Sequence, residues 1–168
     1  LALRAKAILE VAGQSSRKQI VEQYLAATKL HGEAAKGQLV YVKSCANCHR
    51  RDNQGQDVGP NLATVIEHSN EKLLTNILDP NAEIQPGYQA YAVLLDSGEI
   101  LSGLLFSETA NSLTIKQASG VTRTVSRGEI ERLQNSNVSF MPDGLELSLS
   151  QQDIADLLAF LRSPIQTQ

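Results

Sequence analysis

Tryptophan is missing from this 168-residue chain, and aromatic residues together make up only 4% of it. So few rings cannot organise a core, and aliphatic side chains or a flat bound group must fill the interior. Neither sign of charge dominates: 15 Lys and Arg stand against 18 Asp and Glu, for a formal net charge of -3. That balance argues against nucleic acid as the main partner and predicts only weak electrostatic steering. Arg123, Arg127 and Arg132 leave this unchanged and read as a solvated face. Nor is there an uncharged apolar run of the ~20 residues that a membrane span requires. The opening stretch, Leu1 to Gly13, interleaves Arg4, Lys6 and Glu10 with its apolar residues, so it does not read as a secretory signal. The chain begins without methionine and is expected to be a piece of a longer exported protein whose signal lies upstream. Its 42% apolar content suffices for one well-buried domain with a small appendage. Methionine, with one copy, and cysteine, with two, are the scarce residues on which the chemistry concentrates.

Both cysteines fall in Cys45-Ala46-Asn47-Cys48-His49, with a histidine directly behind the second. C-x-x-C-H is the attachment signature of c-type haem. Two thiols at that spacing reach the two vinyl groups on one porphyrin edge, and the next residue places an imidazole under the iron. On that reading Cys45 and Cys48 form the thioethers of one covalent haem c, and His49 is the proximal iron ligand. No cysteine then remains for a disulfide, and the haem becomes the largest flat apolar object in the core. The competing readings are a redox dithiol, a zinc half-site and a chance occurrence of the motif. A dithiol would need neither the histidine nor the helix that leads into the motif, and tetrahedral zinc would need further ligands that only His31 or His68 could supply.

Leu3, Ala7, Ile8 and Val11 recur at helical spacing over Ala2 to Ala12, and Gly13-Gln14-Ser15 breaks the pattern. Ser16 and Gln19 fit a capping box that opens a second helix, with Ile20, Val21, Tyr24, Leu25 and Ala27 as its apolar stripe and Gly32 as terminator. Residues 1–32 thus read as an N-terminal helical hairpin, either the end of an upstream repeat region or an extension of the next domain. From Glu33 a third helix runs into the cysteine motif with Gly37 and Tyr41 on one face. Glycine inside a helix costs about 1 kcal/mol relative to alanine, which predicts that another backbone passes close to Gly37. The last helix is the candidate: Ser150 and Asp153 cap it, and Ile154, Leu157, Leu158 and Leu161 form its stripe beside Phe160. Between these, Ser69 or Asn70 caps a helix bearing Leu73, Leu74, Ile77 and Leu78, and Pro80 stops it.

A Gly-x-x-x-aromatic helix entering C-x-x-C-H, the later Gly59-Pro60-Asn61-Leu62, a methionine loop and a terminal helix closing on Phe160-Leu161 together resemble a class I cytochrome c. In that family a proline carbonyl accepts the proximal histidine's second N–H, which fixes the ring and makes it a stronger donor. The resemblance assigns that role to Pro60 toward His49, and it has Leu62 cover the haem on the same side.

Between Tyr88 and Gln134 the period switches from helical to alternating. Tyr88 to Leu95 and Glu99 to Phe106 read as strands joined at Asp96-Ser97-Gly98, and Ser112 to Gln117 and Val121 to Ser126 as strands joined at Ala118-Ser119-Gly120. Leu113 and Ile115 face one side, Thr114 and Lys116 the other. Gly128 to Leu133 adds a short last strand or a helical turn. The expected fold is mainly α: a class I cytochrome c helical core over residues 33–168, with a small SH3- or Sm-like antiparallel sheet inserted at about 88–134. A cytochrome core with such an insert is similar to the C-terminal haem-binding domains of large exported proteins in Planctomycetes and Verrucomicrobia. Those often follow a dehydrogenase-like propeller or helical repeats.

Met141 sits in Phe140-Met141-Pro142-Asp143-Gly144, immediately ahead of the last helix. A thioether is a soft, neutral ligand that favours ferrous iron, so His/Met ligation raises the potential relative to two nitrogen ligands. Position makes Met141 the candidate distal ligand, and gap-filling in the core is its competing use. Arg50, Tyr88 and Tyr91 are candidate donors to the haem propionates, with solvated or packing roles as their competing use, whereas His31 and His68 read as surface residues near helix N-termini. The expected function is electron transfer without catalysis, from a dehydrogenase-type donor, in the same chain or soluble, to a respiratory acceptor. The c-type attachment implies a periplasmic or otherwise extracytoplasmic site. The alternative is a haem-based sensor of small ligands with a displaceable distal ligand. The insert is a candidate docking surface for the redox partner.

Overall fold

The computed structural model describes residues 17–165. The expected first helix over Ala2 to Ala12, and the Ser16 end of the expected capping box, lie outside the described residues. Contacts gather the chain into two compact units.

The helical unit takes the chain up to Val40, Val65–Glu83 and Asp143–Ser163. Residues 17–24 are helical (α1) and run into a 3-10 turn over Leu25–Lys29. α2 spans Ala34–Ser44, α3 Asn70–Leu78 and α4 Gln151–Leu161. The caps are those the sequence predicts. Ser69 Oγ accepts from Lys72 N at 3.2 Å, and Ser150 and Asp153 form a reciprocal box, each side chain accepting the other's N–H. The predicted stripes of α3 and α4 are buried apart from the half-buried Ile77, with Leu74, Leu78 and Ile154 fully so, whereas of the α1 stripe only Ala27 is buried, Ile20, Val21 and Tyr24 are half-buried and Leu25 is exposed.

Two glycines admit α4. A Cβ on Gly37 would lie 1.9 Å from Asp156 O and 2.7 Å from Phe160 Cβ, so α4 is the backbone that passes. Gly32, expected as a helix terminator, does something else: the helical run closes at Lys29, with Leu30 N donating to Ala27 O, and a Cβ on Gly32 would lie 2.1 Å from Ala155 O. Close approach, not turn geometry, demands glycine there. The buried Asp156 carboxylate joins the same contact, its Oδ1 accepting from Glu33 N at 2.8 Å and from Gln152 Nε2 at 2.9 Å. α1 is fixed by Arg17, whose guanidinium makes two 2.7 Å bonds to the Glu146 carboxylate and also donates to Leu78 O. Tyr24 Oη adds a bond to Leu149 O at 2.9 Å.

The second unit takes Tyr41–Thr64 and Ile84–Pro142, with the chain from Pro164. A two-residue hairpin pairs β1 (Arg50–Arg51) with β2 (Gln54–Gly55). The inserted sheet has five antiparallel strands, β3 (Gln89–Leu95), β4 (Ile100–Glu108), β5 (Ser112–Lys116), β6 (Thr122–Ser126) and β7 (Ile130–Ser139). Their order is β6-β5-β4-β3-β7. A meander whose last strand returns to the free edge of the first, after a 3-10 turn at Arg127–Glu129, fits the small SH3- or Sm-like arrangement expected. Val93, Leu95, Leu101, Leu113, Ile115 and Val125 form its core, each contributing ~1.5–3 kcal/mol of apolar burial. Leu113 and Ile115 point inward as the alternation predicts.

The last strand departs from expectation. It is neither short nor helical but runs to Ser139, pairing Gln89 with Ser139 and Tyr91 with Asn135. Two extra residues bulge between those pairs, and Asn137 takes φ 54 there. The sheet therefore closes at Phe140, whose N–H donates to Tyr88 O at 2.9 Å, rather than near residue 134. Among the described residues no helix is long and apolar enough to cross a membrane.

Candidate functional site

The end of α2 carries directly into the cysteine motif. Cys45 and Ala46 N–H both donate to Tyr41 O, at 2.8 and 2.9 Å, and Cys48 and His49 N–H both donate to Cys45 O, at 3.0 and 2.8 Å. The loop after the hairpin folds back on this turn: Gln56 N donates to Ala46 O at 3.0 Å, and Val58 and Gly59 N donate to Cys48 O at 3.0 and 2.7 Å. Three consecutive stretches thus share one hydrogen-bonded frame, from the fully buried Tyr41 to Gly59.

Cys45 and Cys48 are half-buried thiols that form no disulfide. Burial, helped by the neighbouring Cys48, pushes the Cys45 thiol up to about 12. A redox dithiol works through a thiolate of lowered pKa, so this environment speaks against that use. The His49 ring places Nδ1 2.8 Å from Pro60 O. A carbonyl only accepts, so Nδ1 carries the proton and the Nε2 lone pair is left for a metal. Burial holds His49 below the usual imidazole range, with the Pro60 bond opposing it, and the ring is neutral, as a ligand must be. Gly59 packs against the ring face: a Cβ there would lie 2.5 Å from His49 Cε1.

Three residues of this frame are not signalled as such in the sequence. Tyr41, singled out there as a helix-face residue, has its phenol oxygen 2.8 Å from His49 O and 2.9 Å from Gln54 O, tying helix, motif and hairpin together. Gly55, at φ +87, makes room for it. Arg51, in what reads as a polar turn, is 1% exposed. Its guanidinium approaches Leu62 O at 3.5 Å and the Asp52 carboxylate at 3.7 Å, and burial lowers its pKa. Asp52 turns the hairpin at φ 52.

The remaining candidates are placed as follows. Leu62 opens a 3-10 turn over Leu62–Val65. Met141 is half-buried in the loop after β7, its N–H donating to Ser139 Oγ at 3.1 Å, and belongs to the same unit as Cys45 to His49. Arg50 pairs with Asp57 at 3.2 Å, and Tyr91 Oη accepts from Asn135 Nδ2 at 3.3 Å. His68 is not a plain surface residue, since its Nδ1 is screened from solvent without a hydrogen-bond partner. Among the described residues no three His, Cys, Asp or Glu side chains are grouped to hold a metal ion.

The donor set fits a covalently held haem: two uncrosslinked thiols at the attachment spacing and a neutral imidazole with Nε2 unengaged by the Pro60 bond. A family model for cytochrome c matches residues 34–95. The match runs from the start of α2 through the motif and Pro60 to the end of β3, and it supports a cytochrome c-like, haem-binding electron-transfer domain in general terms. The rest of the insert, Met141 and α4 lie beyond it. No curated protein matches the chain significantly.

Proposed function

We propose that this cytochrome c-like chain is a monohaem electron carrier with His/Met ligation. Cys45 and Cys48 would hold the haem as thioethers, His49 Nε2 would be the proximal ligand and Met141 the distal one, with Leu62 covering the proximal side. The observation that carries the reading is the 2.8 Å bond from His49 Nδ1 to Pro60 O, which orients the ring and directs its lone pair to Nε2. Haem iron supplies one-electron exchange between ferrous and ferric states. The chain's own residues supply the rest. Pro60 fixes the imidazole, Gly59 lets the loop lie against it, and Tyr41 holds the carbonyl of the ligand residue itself. A ligand held this firmly changes little in geometry between oxidation states, which suits transfer rather than catalysis.

The donor would be a dehydrogenase-type domain or protein, the acceptor respiratory, and the location extracytoplasmic, since c-type attachment takes place there. The sheet between Leu62 and Met141 supports kinship with the exported C-terminal haem-binding domains of Planctomycetes and Verrucomicrobia. Oxidised and reduced absorption spectra of wild type and Met141→Leu test the ligand set. Six-coordinate low-spin spectra with a methionine-to-iron charge-transfer band lost in Met141→Leu are expected; a band unchanged by the substitution rules Met141 out. Rapid, complete carbon monoxide binding by the ferrous wild type would instead favour a small-ligand sensor.

A further inference from the structure

Lys116 lies within the inserted sheet, paired with Leu104 on β4 and Thr122 on β6. Its ammonium sits 5.1 Å from the centroid of the Phe106 ring and donates to the backbone oxygen of Asp57. The turn that follows β5 meets the same loop: a Cβ on Gly120 would lie 3.2 Å from the Gln56 amide oxygen. Residues 53–57 are exposed. Exposed loops are ordinarily mobile, so a cation borne by a strand and bonded to the loop's backbone acts as an anchor.

The peptide that receives this cation is the first of a row. Asp57 C=O shares its peptide with Val58 N–H, which donates to Cys48 O at 3.0 Å. Cys48 C=O shares its peptide with His49 N–H, which donates to Cys45 O at 2.8 Å. Cys45 C=O shares its peptide with Ala46 N–H, which donates to Tyr41 O at 2.9 Å. Peptides bonded head to tail polarise one another, and a positive charge at the oxygen end strengthens the row.

We propose that Lys116 is a positioning residue for the haem-binding segment. From the insert it holds the Gln56–Asp57 loop and, through this row of peptides, the backbone that carries Cys48 and His49. The effect on iron rests on the haem reading above; the row of bonds does not. The test compares haem-loaded wild type, Lys116→Met, Lys116→Arg and, as a control elsewhere in the insert, Arg127→Gln, which removes a pair with Glu108. Amide exchange and redox titration are read together. In Lys116→Met, the Val58 and His49 amides exchange about tenfold faster, the effect of losing ~1.4 kcal/mol of a charge-assisted bond. The midpoint potential falls as a nearby positive charge is lost. Lys116→Arg restores both, and Arg127→Gln moves neither. Wild-type exchange at those two amides, a wild-type potential in Lys116→Met, or an equal change in Arg127→Gln overturns the proposal. If the wild type attaches no haem, the electron-carrier reading fails, while exchange in the haem-free chain still decides the role of Lys116.

Discussion

A methyl group added at Gly59 meets the proposed proximal ligand head on. A Cβ there would lie 2.5 Å from Cε1, 2.8 Å from Nδ1 and 3.0 Å from Nε2 of His49, whereas ordinary contact begins at 3.4 Å. Ring and loop must therefore part by about 0.9 Å, the difference between 3.4 and 2.5 Å. Neither is free to move, because Gly59 N is bonded to Cys48 O at 2.7 Å and the ring is bonded to Pro60 O at 2.8 Å. Overpacking of this kind costs ~1–3 kcal/mol, and loss of the Pro60 bond adds ~0.5–1.5 kcal/mol, so Gly59→Ala is expected to lose ~2–4 kcal/mol of stability. Function should move with it. Without the Pro60 acceptor His49 is a weaker donor to ferric iron. If ~1 kcal/mol of the loss falls on the ferric state alone, the potential rises by ~40 mV, at 59 mV per tenfold for one electron. Urea unfolding in each oxidation state and a redox titration measure both quantities. A variant within ~0.5 kcal/mol of wild type in both states, with a potential unchanged to ~10 mV, would show that the ring is not held where the bond to Pro60 puts it.

Gly37→Ala should destabilise by ~2–3 kcal/mol despite the ~1 kcal/mol that alanine favours in a helix, because the added Cβ meets α4 backbone rather than a side chain that can swing away. At ~2–4 °C per kcal/mol for a chain of this size, a thermal melt should fall by ~5–10 °C, and a rise would contradict the close approach. Tyr41→Phe keeps the packing but removes the O–H shared between His49 O and Gln54 O; a loss of ~1–3 kcal/mol is expected in urea unfolding, with no change in the number of attached haems. Glu146 gives the pH dependence. The Arg17 hydrogen bond holds its carboxylate below the ordinary value, so its folded pKa lies below the unfolded one. The stabilisation is complete above about pH 4.3 and is lost as pH falls through the lowered folded value. Arg17→Met should flatten that acid limb and cost ~2–3 kcal/mol at neutral pH, because Glu146 and Leu78 O lose their partner in a nearly buried setting. An acid limb equally steep in the variant would assign it to other carboxylates.

Where local chemistry determines local structure, sequence and structure coincide. α4 could be read from its box and stripe because Ser150, Asp153 and the i, i+3, i+4 leucines all act within a few residues of one another. The orientation of His49 by Pro60 was implied by resemblance, and the 2.8 Å contact gives it a physical basis. β7 beyond Leu133 was not legible, since Gln134, Asn135, Ser136 and Asn137 have low strand propensity and no buried alternation. What makes them a strand is the free edge of β3, 40-odd residues earlier. Arg51 was equally hidden: nothing in a basic dipeptide says which arginine is buried. Gly32 was misread because a glycine after a helix looks like a terminator until α4, far along the chain, is seen against it.

The contact of α2 with α4 also sets an order of events. Asp156 accepts the Glu33 N–H across 123 residues, and the space left by Gly32 and Gly37 is for that same distant helix. The inserted sheet has no such wait for its first four strands, since each joins the next through a short turn. Closing a long loop adds only ~0.6 kcal/mol per doubling of its length, but non-local contacts must be searched for and form late. During synthesis α4 emerges after all five strands of the sheet, so the Gly32–Gly37 side of α2 stays uncovered until Gln151–Leu161 is made. A chain cut short before Gln151 would keep Cys45 to His49 yet lack the helix that covers Gly32 and Gly37.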